Sequence, residues 1–568
     1  MSMESQPWPE PAPGVVRAVR AKYRGRPVPL PVAVRDGLGE VFADAEFASA
    51  FAATGPRGWS PGRLALVTVL QMAENLTDRQ AAEAVRDKLS WAYALGLGLE
   101  DPGFDFSVLS QFRTRVAAHH LEEKVLDLLL AALLERGLLA AGGKQRTDST
   151  HVVAAVRDLN RLELAGEAVR AAVEALTCAA PDWVAQVVDV ASWSKRYGAR
   201  VDGWRLPTSQ VKQEQLAVDF ARDGFALLGA VYHPNSPVWL RELPAVQVLR
   251  IVLLQNYTRT IKGGREVVKR RQKAEDGGDG RPPGHLRLSS PYDTDSRWSV
   301  KRDTLWNGYK LHISETCTSA PESGRKHPNL ITNVATTSST LPDSKALDAV
   351  HHTLQQRRLL PEEHYLDSGY ATAELIQGSL KTYGVALVTP VLLDTSRQAK
   401  DRNGFAAHDF TIDWHAEQAT CPAGKTSVTW NPVVQAGLPK TVATFAALDC
   451  IPCPHRSQCT SAKSNRRQIT LHPREMTEAL RNARAQQQTK DWNKNYALRA
   501  GIEGTIRQAT AVTGVRRARY RGLEKTHLEH VYSAVALNLI RLHAWWHNQP
   551  LDRTRTSHLT RLELTLTA

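Results

Sequence analysis

The stretch LWNGYKLHIS, residues 305–314, decides the fold of this chain. Large apolar side chains recur at alternate positions in it: Leu305, Tyr309, Leu311 and Ile313. An apolar residue at every second position is typical of a β-strand that buries one face. The sequence LITNVA, residues 330–335, follows as a second strand. The two stretches therefore predict neighbouring strands of one sheet.

Helices and short strands alternate beyond that pair. A helix is predicted over 342–354, a strand over 364–367, a helix over 372–380 and a strand over 385–388. Upstream, residues 144–152 predict a further strand that ends in polar groups. A strand-rich beginning followed by a β–α–β order favours a mixed sheet flanked by helices, an α/β (mixed α+β) fold.

An all-helical region is predicted from residue 60 to about 139. Ser60 before a proline is typical of a helix start, and another helix begins near Ser107 with Arg113 and Arg115 expected on its outer face. Several short helices with outward arginines suit a helix-turn-helix-like DNA-binding unit. A helical packing domain with a solvated basic face is the alternative interpretation.

The chain divides by composition into six parts. They are a partly flexible N-terminal arm (1–50), a helical DNA-binding domain (51–143), the first part of a core (144–395), a Cys-rich insertion (396–465), the second part of that core (466–547) and a tail (548–568). Within the first part of the core, we expect a helical insertion over about 155–262. The Gly, Pro and charged residues over about 263–300 predict a flexible linker.

Charge and composition narrow the class of protein. The chain has 568 residues, of which 42% are hydrophobic, so it can bury several cores. Its formal net charge of +14 favours a polyanionic partner, with nucleic acid as the first candidate. No apolar run reaches the length of a membrane span and no signal pattern begins the chain, so we expect a cytoplasmic protein.

Four of the six cysteines cluster in the Cys-rich insertion: Cys421, Cys450, Cys453 and Cys459. Four thiolates can surround Zn²⁺ tetrahedrally, and such a site would staple an insertion that has little core of its own. The last spacing is loose, so His455 is an alternative ligand, and ordinary reduced thiols are the other interpretation. Cys178 and Cys317 have no partners in sequence and are expected to be packed.

Three acidic residues are distinguished by their positions. Asp148 and Asp367 each end a short predicted strand, and Glu503 lies on a predicted helix. Steps of three and four residues place four side chains on one face of that helix: Tyr496, Arg499, Glu503 and Arg507. Carboxylate oxygens suit a pair of Mg²⁺ or Mn²⁺ ions, which can activate a water or a 3′-hydroxyl in phosphodiester displacement. Taken singly, each acid is better explained as a solvated carboxylate or a helix salt bridge, and only the three together favour a metal site.

Basic clusters predict the DNA-binding surface. One cluster follows the Glu503 helix: Arg516, Arg517, Arg519, Arg521 and Lys525. Several Lys and Arg side chains on phosphates give strong, salt-sensitive affinity, whereas a merely solvated face is the alternative. A second cluster lies in and just before the predicted linker, where a solvated or loosely DNA-contacting role is expected: Lys262, Arg265, Lys269, Arg270 and Arg271.

Four motifs together resemble bacterial insertion-sequence transposases of the DDE type. They are TDST (147–150), WNGYKLH (306–312), DSGY (367–370) and a Tyr-x2-Arg-x3-Glu signature at Tyr496, Arg499 and Glu503. The resemblance runs from about residue 50 to 545. It implies an RNase H-like catalytic domain in which Asp148, Asp367 and Glu503 form the catalytic triad and hold two Mg²⁺ (or Mn²⁺) ions.

The resemblance also implies which residues contact DNA, and the chain departs from the family pattern at one position. The residues expected to contact DNA in and around the motifs are Lys310, Tyr496, Arg499 and Arg507. Members with this signature often carry a Lys or Arg seven residues after the Glu, where this chain has Thr510. Arg507, one helical turn after Glu503, is the residue that can supply the charge instead.

The implied activity is that of a DNA transposase. Such an enzyme binds the terminal inverted repeats of its element and carries out Mg²⁺-dependent cleavage and strand transfer, and a homodimer on DNA is expected by analogy. In a bacterium the protein would be cytoplasmic and nucleoid-associated when bound to DNA. Two alternatives remain: a catalytically silent transposase-derived DNA-binding protein, and an RNase H-like nuclease without strand transfer.

Overall fold

The computed structural model describes residues 7–52, 54–278, 280–301, 303–317, 327–401 and 404–549, together with Leu559, Leu562 and Leu566. The predicted tail lies outside the described residues from residue 550 on, apart from these three leucines. The first six residues of the predicted N-terminal arm also lie outside them.

Over the described residues, the strands form one large sheet and three small ones. The strands are β1 (Lys144–Val153), β2 (Tyr257–Lys262), β3 (Arg265–Arg270), β4 (Arg297–Lys301), β5 (Thr304–Thr316), β6 (Ile331–Ser338), β7 (Glu363–Tyr365), β8 (Ala386–Val388), β9 (Thr411–Asp413), β10 (Gln418–Thr420), β11 (Ser427–Gln435), β12 (Leu438–Phe445) and β13 (Gln468–Leu471). The large sheet has the order β4-β5-β1-β7-β8, and β6 also pairs with β5.

The large sheet is mixed, as predicted. β5 pairs antiparallel with both β1 and β6, whereas β7 and β8 run parallel to β1. The two strands expected at 305–314 and 330–335 are partners, with Ile313 opposite Val334. Both faces of β5 are covered, so its polar residues are buried as well; His312 and Ser314 are each 1% exposed. The expected mixed α/β class is confirmed.

Helices cover the large sheet and build the remaining parts of the chain. They are α1 (Pro13–Lys22), α2 (Leu30–Leu38), α3 (Pro61–Ala73), α4 (Asp78–Asp87), α5 (Leu89–Leu95), α6 (Ser107–Ala118), α7 (Lys124–Glu135), α8 (Arg161–Ala179), α9 (Pro181–Val187), α10 (Val190–Tyr197), α11 (Gln210–Val231), α12 (Pro244–Asn256), α13 (Asp343–Gln356), α14 (Ala373–Tyr383), α15 (Arg397–Asp401), α16 (Ala447–Cys450), α17 (Arg456–Cys459), α18 (Arg474–Gln486), α19 (Lys490–Tyr496), α20 (Gly501–Val512) and α21 (Leu523–Trp546). None of the helices in the described part of the chain has the length and hydropathy needed to cross a membrane.

The N-terminal helices start where the sequence predicts. Ser60 caps α3 by accepting a hydrogen bond from the Arg63 N–H, which satisfies one of the free donors of the first turn. The expectation for Arg113 is wrong. This guanidinium is buried on α6, where it donates to Asp78 and stands 4.5 Å from the centre of the Tyr520 ring. It therefore joins the N-terminal helices to the C-terminal part of the chain.

The N-terminal helices and the large sheet bury side chains in one continuous core. α21 packs against α3 and α7 on one side and against β6 on the other. Buried residues from each part belong to the same cluster, for example Leu70 of α3, Ile331 of β6 and Val535 of α21. The long helix α21 thus connects the N-terminal helices to the sheet.

The helical insertion has its own core, and the structure differs from the predicted bounds of this insertion and of the linker that follows it. α8, α11 and α12 pack together around residues such as Ala165, Phe220 and Leu249. The predicted helical insertion is wrong over residues 257–262, which form β2. The predicted linker is wrong over 265–270 and 297–301, where the chain forms β3 and β4.

The Cys-rich insertion contains more strand than its loop-like composition predicts. β11 and β12 of the insertion form a three-stranded antiparallel sheet with β13, which lies just beyond the predicted end of the insertion, and β9 pairs with β10. The buried core here is small: Phe410, Ala419, Ala443, Phe445, Ile469 and Leu471. Three of the clustered cysteines pack against that core.

Candidate active site

Asp148 lies within β1, which continues to Val153, whereas Asp367 follows the end of the neighbouring parallel strand β7. The expectation that Asp148 ends its strand is therefore wrong. Arg146 of β1 is paired with Tyr365 of β7, and each aspartate follows two residues later. Because parallel strands keep their register over such a short distance, Asp148 and Asp367 lie close together at the end of β7, and the charge of Asp367 acts on Asp148. The β7 end is held by Thr389, whose hydroxyl donates to the Asp367 carbonyl at 2.8 Å.

The Asp148 carboxylate is 7% exposed and has two close partners. Oδ1 accepts from the Ser149 N–H at 2.7 Å, and Oδ2 accepts from the Arg499 guanidinium at 2.5 Å. Burial raises the pKa of Asp148; Arg499 and the Ser149 N–H lower it, and the nearby negative charge of Asp367 raises it again. The net effect is a raised pKa, which is the expected result when two carboxylates share a poorly solvated position.

The residues of the Tyr-x2-Arg-x3-Glu signature lie on three successive elements. The prediction that they share one face of a single helix is wrong: α19 ends at Tyr496, a 3₁₀ turn covers Ala497–Ala500, and α20 begins at Gly501. Arg499 still meets Glu503, with Nη1 3.3 Å from Oε1, and so bridges Glu503 to Asp148. The Glu503 side chain is 69% exposed, so it faces the solvent from which a substrate would arrive.

Tyr496 completes the group. Its hydroxyl donates to the Leu366 carbonyl at 3.2 Å, next to Asp367. Burial raises the pKa of Tyr496, and the charges of Arg499, Asp367, Asp148 and Glu503 all act on it. Tyr496 therefore lies beside Asp367 and within electrostatic range of Arg499 and of the three acids.

A buried ion network, which sequence reasoning missed, fixes the Glu503 helix against β1. Glu315 on β5 is fully buried, and its two oxygens accept from Arg146 at 2.6 Å and from Arg541 at 2.8 Å. The Thr505 hydroxyl of α20 donates to the same carboxylate at 2.6 Å, while Arg146 also donates to the Leu498 carbonyl at 2.6 Å. These residues position Arg499 and Glu503 without facing the site. Charged residues within strands that are otherwise predicted to be buried were the sequence signal that could have indicated this network.

Sequence reasoning also missed a fourth carboxylate, Asp343, which lies next to Ser149. It accepts from the Ser149 hydroxyl at 2.9 Å and pairs with Lys310 at 3.0 Å. Burial alone would raise the pKa of Asp343, but the hydrogen bond and charge of Lys310 keep it below its ordinary value. Lys310, expected to contact DNA, also donates to the Leu341 carbonyl and is therefore engaged within the protein.

The basic segment after α20 lies beside β1. The Val153 N–H donates to the Arg516 carbonyl and the Ala518 N–H donates to the Val153 carbonyl, both at 2.8 Å. Four of the predicted DNA-binding side chains in this segment are on exposed residues: Arg516, Arg517, Arg521 and Lys525. Arg519 differs because it donates to the Leu76 carbonyl at 2.6 Å, and so holds the N-terminal helices. Arg507 is exposed one turn beyond Glu503.

The donor chemistry of the triad fits a hard divalent cation, but Arg499 lies between two of its members. Asp148, Asp367 and Glu503 offer only carboxylate oxygens, the ligands that Mg²⁺ and Mn²⁺ prefer. Over the described ranges, no three or more His, Cys, Asp or Glu side chains are arranged to hold a metal ion. An incoming cation would therefore compete with Arg499 for Asp148 and Glu503.

The four clustered cysteines line a single pocket. They are Cys421, Cys450, Cys453 and Cys459, all free thiols. The Lys425 N–H donates to the Cys421 sulfur at 3.3 Å, in a turn that Gly424 closes with a φ of +77°. Burial raises the pKa of Cys459; Arg467 lowers it, and the three other thiols raise it further. His455, the alternative ligand, is not among the residues that line this pocket.

The two remaining cysteines differ from each other. Cys317 is buried, as expected, and burial raises the pKa of its thiol to about 12. Cys178 at the end of α8 is exposed, so the expectation that it is packed is wrong.

Two models of transposase families match the chain. The model described as a transposase DDE domain matches residues 420–543, a range that contains the Tyr-x2-Arg-x3-Glu signature and the basic segment. The model described as a transposase domain (DUF772) matches residues 29–115, within the N-terminal helices. No curated protein and no solved structure matches.

The chain is thus similar to a transposase DDE domain over residues 420–543 and to a second transposase domain over residues 29–115. The resemblance to insertion-sequence transposases of the DDE type is thereby confirmed. Asp148 and Asp367 lie outside both matched ranges, so their assignment depends on the geometry described above.

Proposed function

We propose that this transposase binds the terminal inverted repeats of an insertion sequence and catalyses Mg²⁺-dependent DNA cleavage and strand transfer. The observation that supports this proposal most directly is the proximity of Asp148 on β1 to Asp367 just after β7, with Glu503 joined to Asp148 through Arg499. Two of the three acids are thus close to each other, and Arg499 links the third to Asp148, although the acids are far apart in sequence.

Asp148, Asp367 and Glu503 are the proposed ligands of two Mg²⁺ (or Mn²⁺) ions. Bound ions of this kind activate a water or a 3′-hydroxyl and stabilise the leaving oxygen of an in-line displacement. Arg499 balances the negative charge of Asp148 and Glu503 before the ions arrive. Its planar guanidinium is suited to bind a DNA phosphate once the carboxylates have other partners.

The exposed cations of α20 and of the segment that follows it are the proposed DNA-binding surface. They are Arg507, Arg516, Arg517, Arg521 and Lys525. Lys310 and Arg519 have partners inside the protein, and we assign them a positioning role instead. Coordinated transfer needs two element ends held together, so we also propose a homodimer on DNA.

The Cys-rich insertion is proposed to bind one structural Zn²⁺ ion. The four thiols share one pocket without forming a closed ligand set, and the apolar core beside them is small. Binding would draw the turn at Cys421 towards α16 and α17, and it would replace the cost of burying Cys459 by a metal–thiolate bond.

Substitution of the acids tests the proposed activity. Asp367→Asn and Glu503→Gln should each lower Mg²⁺-dependent cleavage and joining of inverted-repeat ends by roughly 10²–10³-fold, because a lost ligand removes several kcal/mol of charge stabilisation. Glu362→Gln, which changes an exposed acid just before β7, is the matched control and should retain wild-type rates. DNA binding should persist in all three variants.

The same assay separates the alternatives. Equal cleavage by the wild type and both acid variants would show that other residues are catalytic. A wild type that shifts DNA without cutting it would be a catalytically silent DNA-binding protein. Cleavage without a joined product would indicate a nuclease that lacks strand transfer.

A further inference from the structure

The basic cluster before and inside the predicted linker is a β-hairpin with a defined shape. β2 and β3 pair antiparallel from Tyr257 opposite Arg270 to Lys262 opposite Arg265. The connection is Gly263-Gly264, and both glycines have positive φ, at 56° and 75°. Two-residue hairpin loops of this kind need positive φ at both positions, which glycine adopts without strain. Two glycines that looked like linker therefore make a tight turn.

The root of the hairpin is packed onto the helical insertion, whereas the tip is not. Tyr257 and Val268 are 2% and 6% exposed and belong to the core of that insertion. The Arg259 guanidinium lies 5.4 Å from the centre of the Phe225 ring of α11. At the tip, Ile261 is 79% exposed. The hairpin thus projects beyond the helices that hold its root.

The two faces of the hairpin differ in charge. Cross-strand partners and every second residue share a face. The inner face contains Arg259, which pairs with Glu266 at 2.9 Å, and Arg270, which pairs with Glu214 of α11. Cations on the inner face are therefore neutralised within the protein.

The outer face has three cations and no acid. Its residues are Thr258, Thr260, Lys262, Arg265, Val267 and Lys269. In the part of the chain that the structure describes, Lys262, Arg265 and Lys269 form no ion pair with an acidic side chain, and all three are exposed. Lys269 and Arg265 are four residues apart, so the cations extend over about 13 Å of strand at roughly 3.4 Å per residue.

We propose that the outer face of this hairpin binds the phosphate backbone of duplex DNA. The occupant follows from the chemistry: three unpaired cations and two threonine hydroxyls on a narrow projecting ribbon suit a row of phosphate oxygens. Contacts of this kind hold and orient a duplex without reading its sequence. The proposal rests on the proposed function, because it assigns a second DNA contact to the same transposase, away from the triad.

The test is the salt dependence of DNA affinity. The triple variant Lys262→Gln/Arg265→Gln/Lys269→Gln is compared with the wild type by fluorescence anisotropy on a labelled duplex, at several salt concentrations. Each phosphate contact contributes about 0.9 to the slope of log affinity against log salt, so the slope should fall by about 2 to 3. Lys269→Gln alone should lower it by about 1.

Two controls make the comparison specific. Lys195→Gln/Arg200→Gln/Lys212→Gln removes the same charge from other exposed residues of the helical insertion and should leave the slope unchanged. Arg259→Gln/Glu266→Gln alters the inner face at constant net charge and should also leave it unchanged. Unchanged thermal unfolding of the triple hairpin variant shows that its fold is intact.

The outcomes separate this proposal from the proposed function. A hairpin variant that keeps the wild-type slope, while the wild type binds and cleaves DNA, overturns the hairpin proposal alone. The same holds if the control triple lowers the slope as much as the hairpin triple. A wild type that neither binds nor cleaves DNA overturns the proposed function and the hairpin proposal with it.

Discussion

At the scale of single residues, Gly501 is the position where α20 has no room for a side chain. A Cβ atom there would lie 2.0 Å from Nη1 of Arg146, the nitrogen that donates to the Leu498 carbonyl. The glycine between Arg499 and Glu503 is thus explained by the close approach of a buried guanidinium.

Gly501→Ala should therefore destabilise the protein and misplace the site. We expect a loss of about 1–3 kcal/mol in the free energy of unfolding, which is typical of overpacking, together with a lower rate of cleavage. Gly504→Ala on the same helix is the matched control, since its Cβ would meet no atom within 4 Å, and alanine favours the helix. Urea unfolding and end cleavage measure both effects. Equal behaviour of the two variants would contradict the packing argument.

The burial of Glu529 predicts a pH dependence of the free energy of unfolding. This carboxylate on α21 accepts from the Arg519 N–H at 2.8 Å, and burial raises its pKa to about 7, from an ordinary value of 4.5. As the pH rises from 4.5 to 7, the unfolded chain releases this proton and the folded chain keeps it. The contribution of Glu529 to stability therefore falls over that range and is constant above it.

Glu529→Gln should remove this pH dependence. Relative to the wild type, its free energy of unfolding should rise between pH 5 and pH 8, by an amount on the order of 2–3 kcal/mol. Denaturant unfolding at a series of pH values measures the difference. Glu524→Gln, an exposed position on the same helix, should follow the wild-type curve. A difference curve for Glu529→Gln that stays flat would show that the buried carboxylate titrates normally.

At the scale of elements, alternation predicted β5 and its partner β6 because one face of each strand is apolar. The same reasoning could not show that the polar face of β5 is buried, since that depends on helices distant in sequence. The Tyr-x2-Arg-x3-Glu motif predicted which side chains meet. It could not predict the 3₁₀ turn at Ala497–Ala500, which separates α19 from α20.

Sequence patterns could not predict two further features of the structure, the Glu315 ion network and the β2–β3 hairpin, because both depend on packing between residues that are far apart in sequence. Glu315 gathers Arg146 and Arg541, which are 169 and 226 residues away, so no local spacing indicates the network. The β2–β3 hairpin was hidden by its composition, because Gly-Gly and charged residues also occur in linkers. Its buried Tyr257 and Val268 distinguish it from a linker, and their burial depends on packing against the helical insertion.

The proposed zinc site in the Cys-rich insertion predicts the metal content of the protein and the effect of removing the metal. The purified protein should contain one Zn²⁺ per chain, and a Co²⁺-loaded sample should show the thiolate absorption of a tetrahedral site. Chelation should unfold the β11–β13 sheet, measured by proteolysis of residues 396–465, because the apolar core there is small. Cys453→Ser should lose the metal, whereas Cys178→Ser should keep it. A full-length protein free of zinc, with an intact insertion, would contradict the proposal.

At the scale of the whole molecule, the continuous core between the N-terminal helices and the sheet implies that neither part is independent. Buried residues of α21 such as Val535, Leu539 and Leu542 belong to a cluster that includes residues of α3 and α7. Arg519 and Arg113 add polar links between the same parts.

Removal of residues 1–143 should therefore prevent normal folding of the remainder. Chain 144–568 should aggregate or bind a hydrophobic dye, because one side of α21 would be exposed to water. A chain that ends at residue 549 keeps every described contact of the core and should remain monodisperse by size-exclusion chromatography. A monodisperse chain 144–568 with an unchanged melting temperature would show that the two parts fold separately.

The ion pair between Arg499 and Asp148 has a consequence for the protein at rest. Its guanidinium holds carboxylate oxygens of Asp148 and Glu503, so the proposed metal ions could bind these two acids only after Arg499 had left them. A DNA phosphate that drew Arg499 away would free both carboxylates, and metal binding would then depend on the presence of DNA.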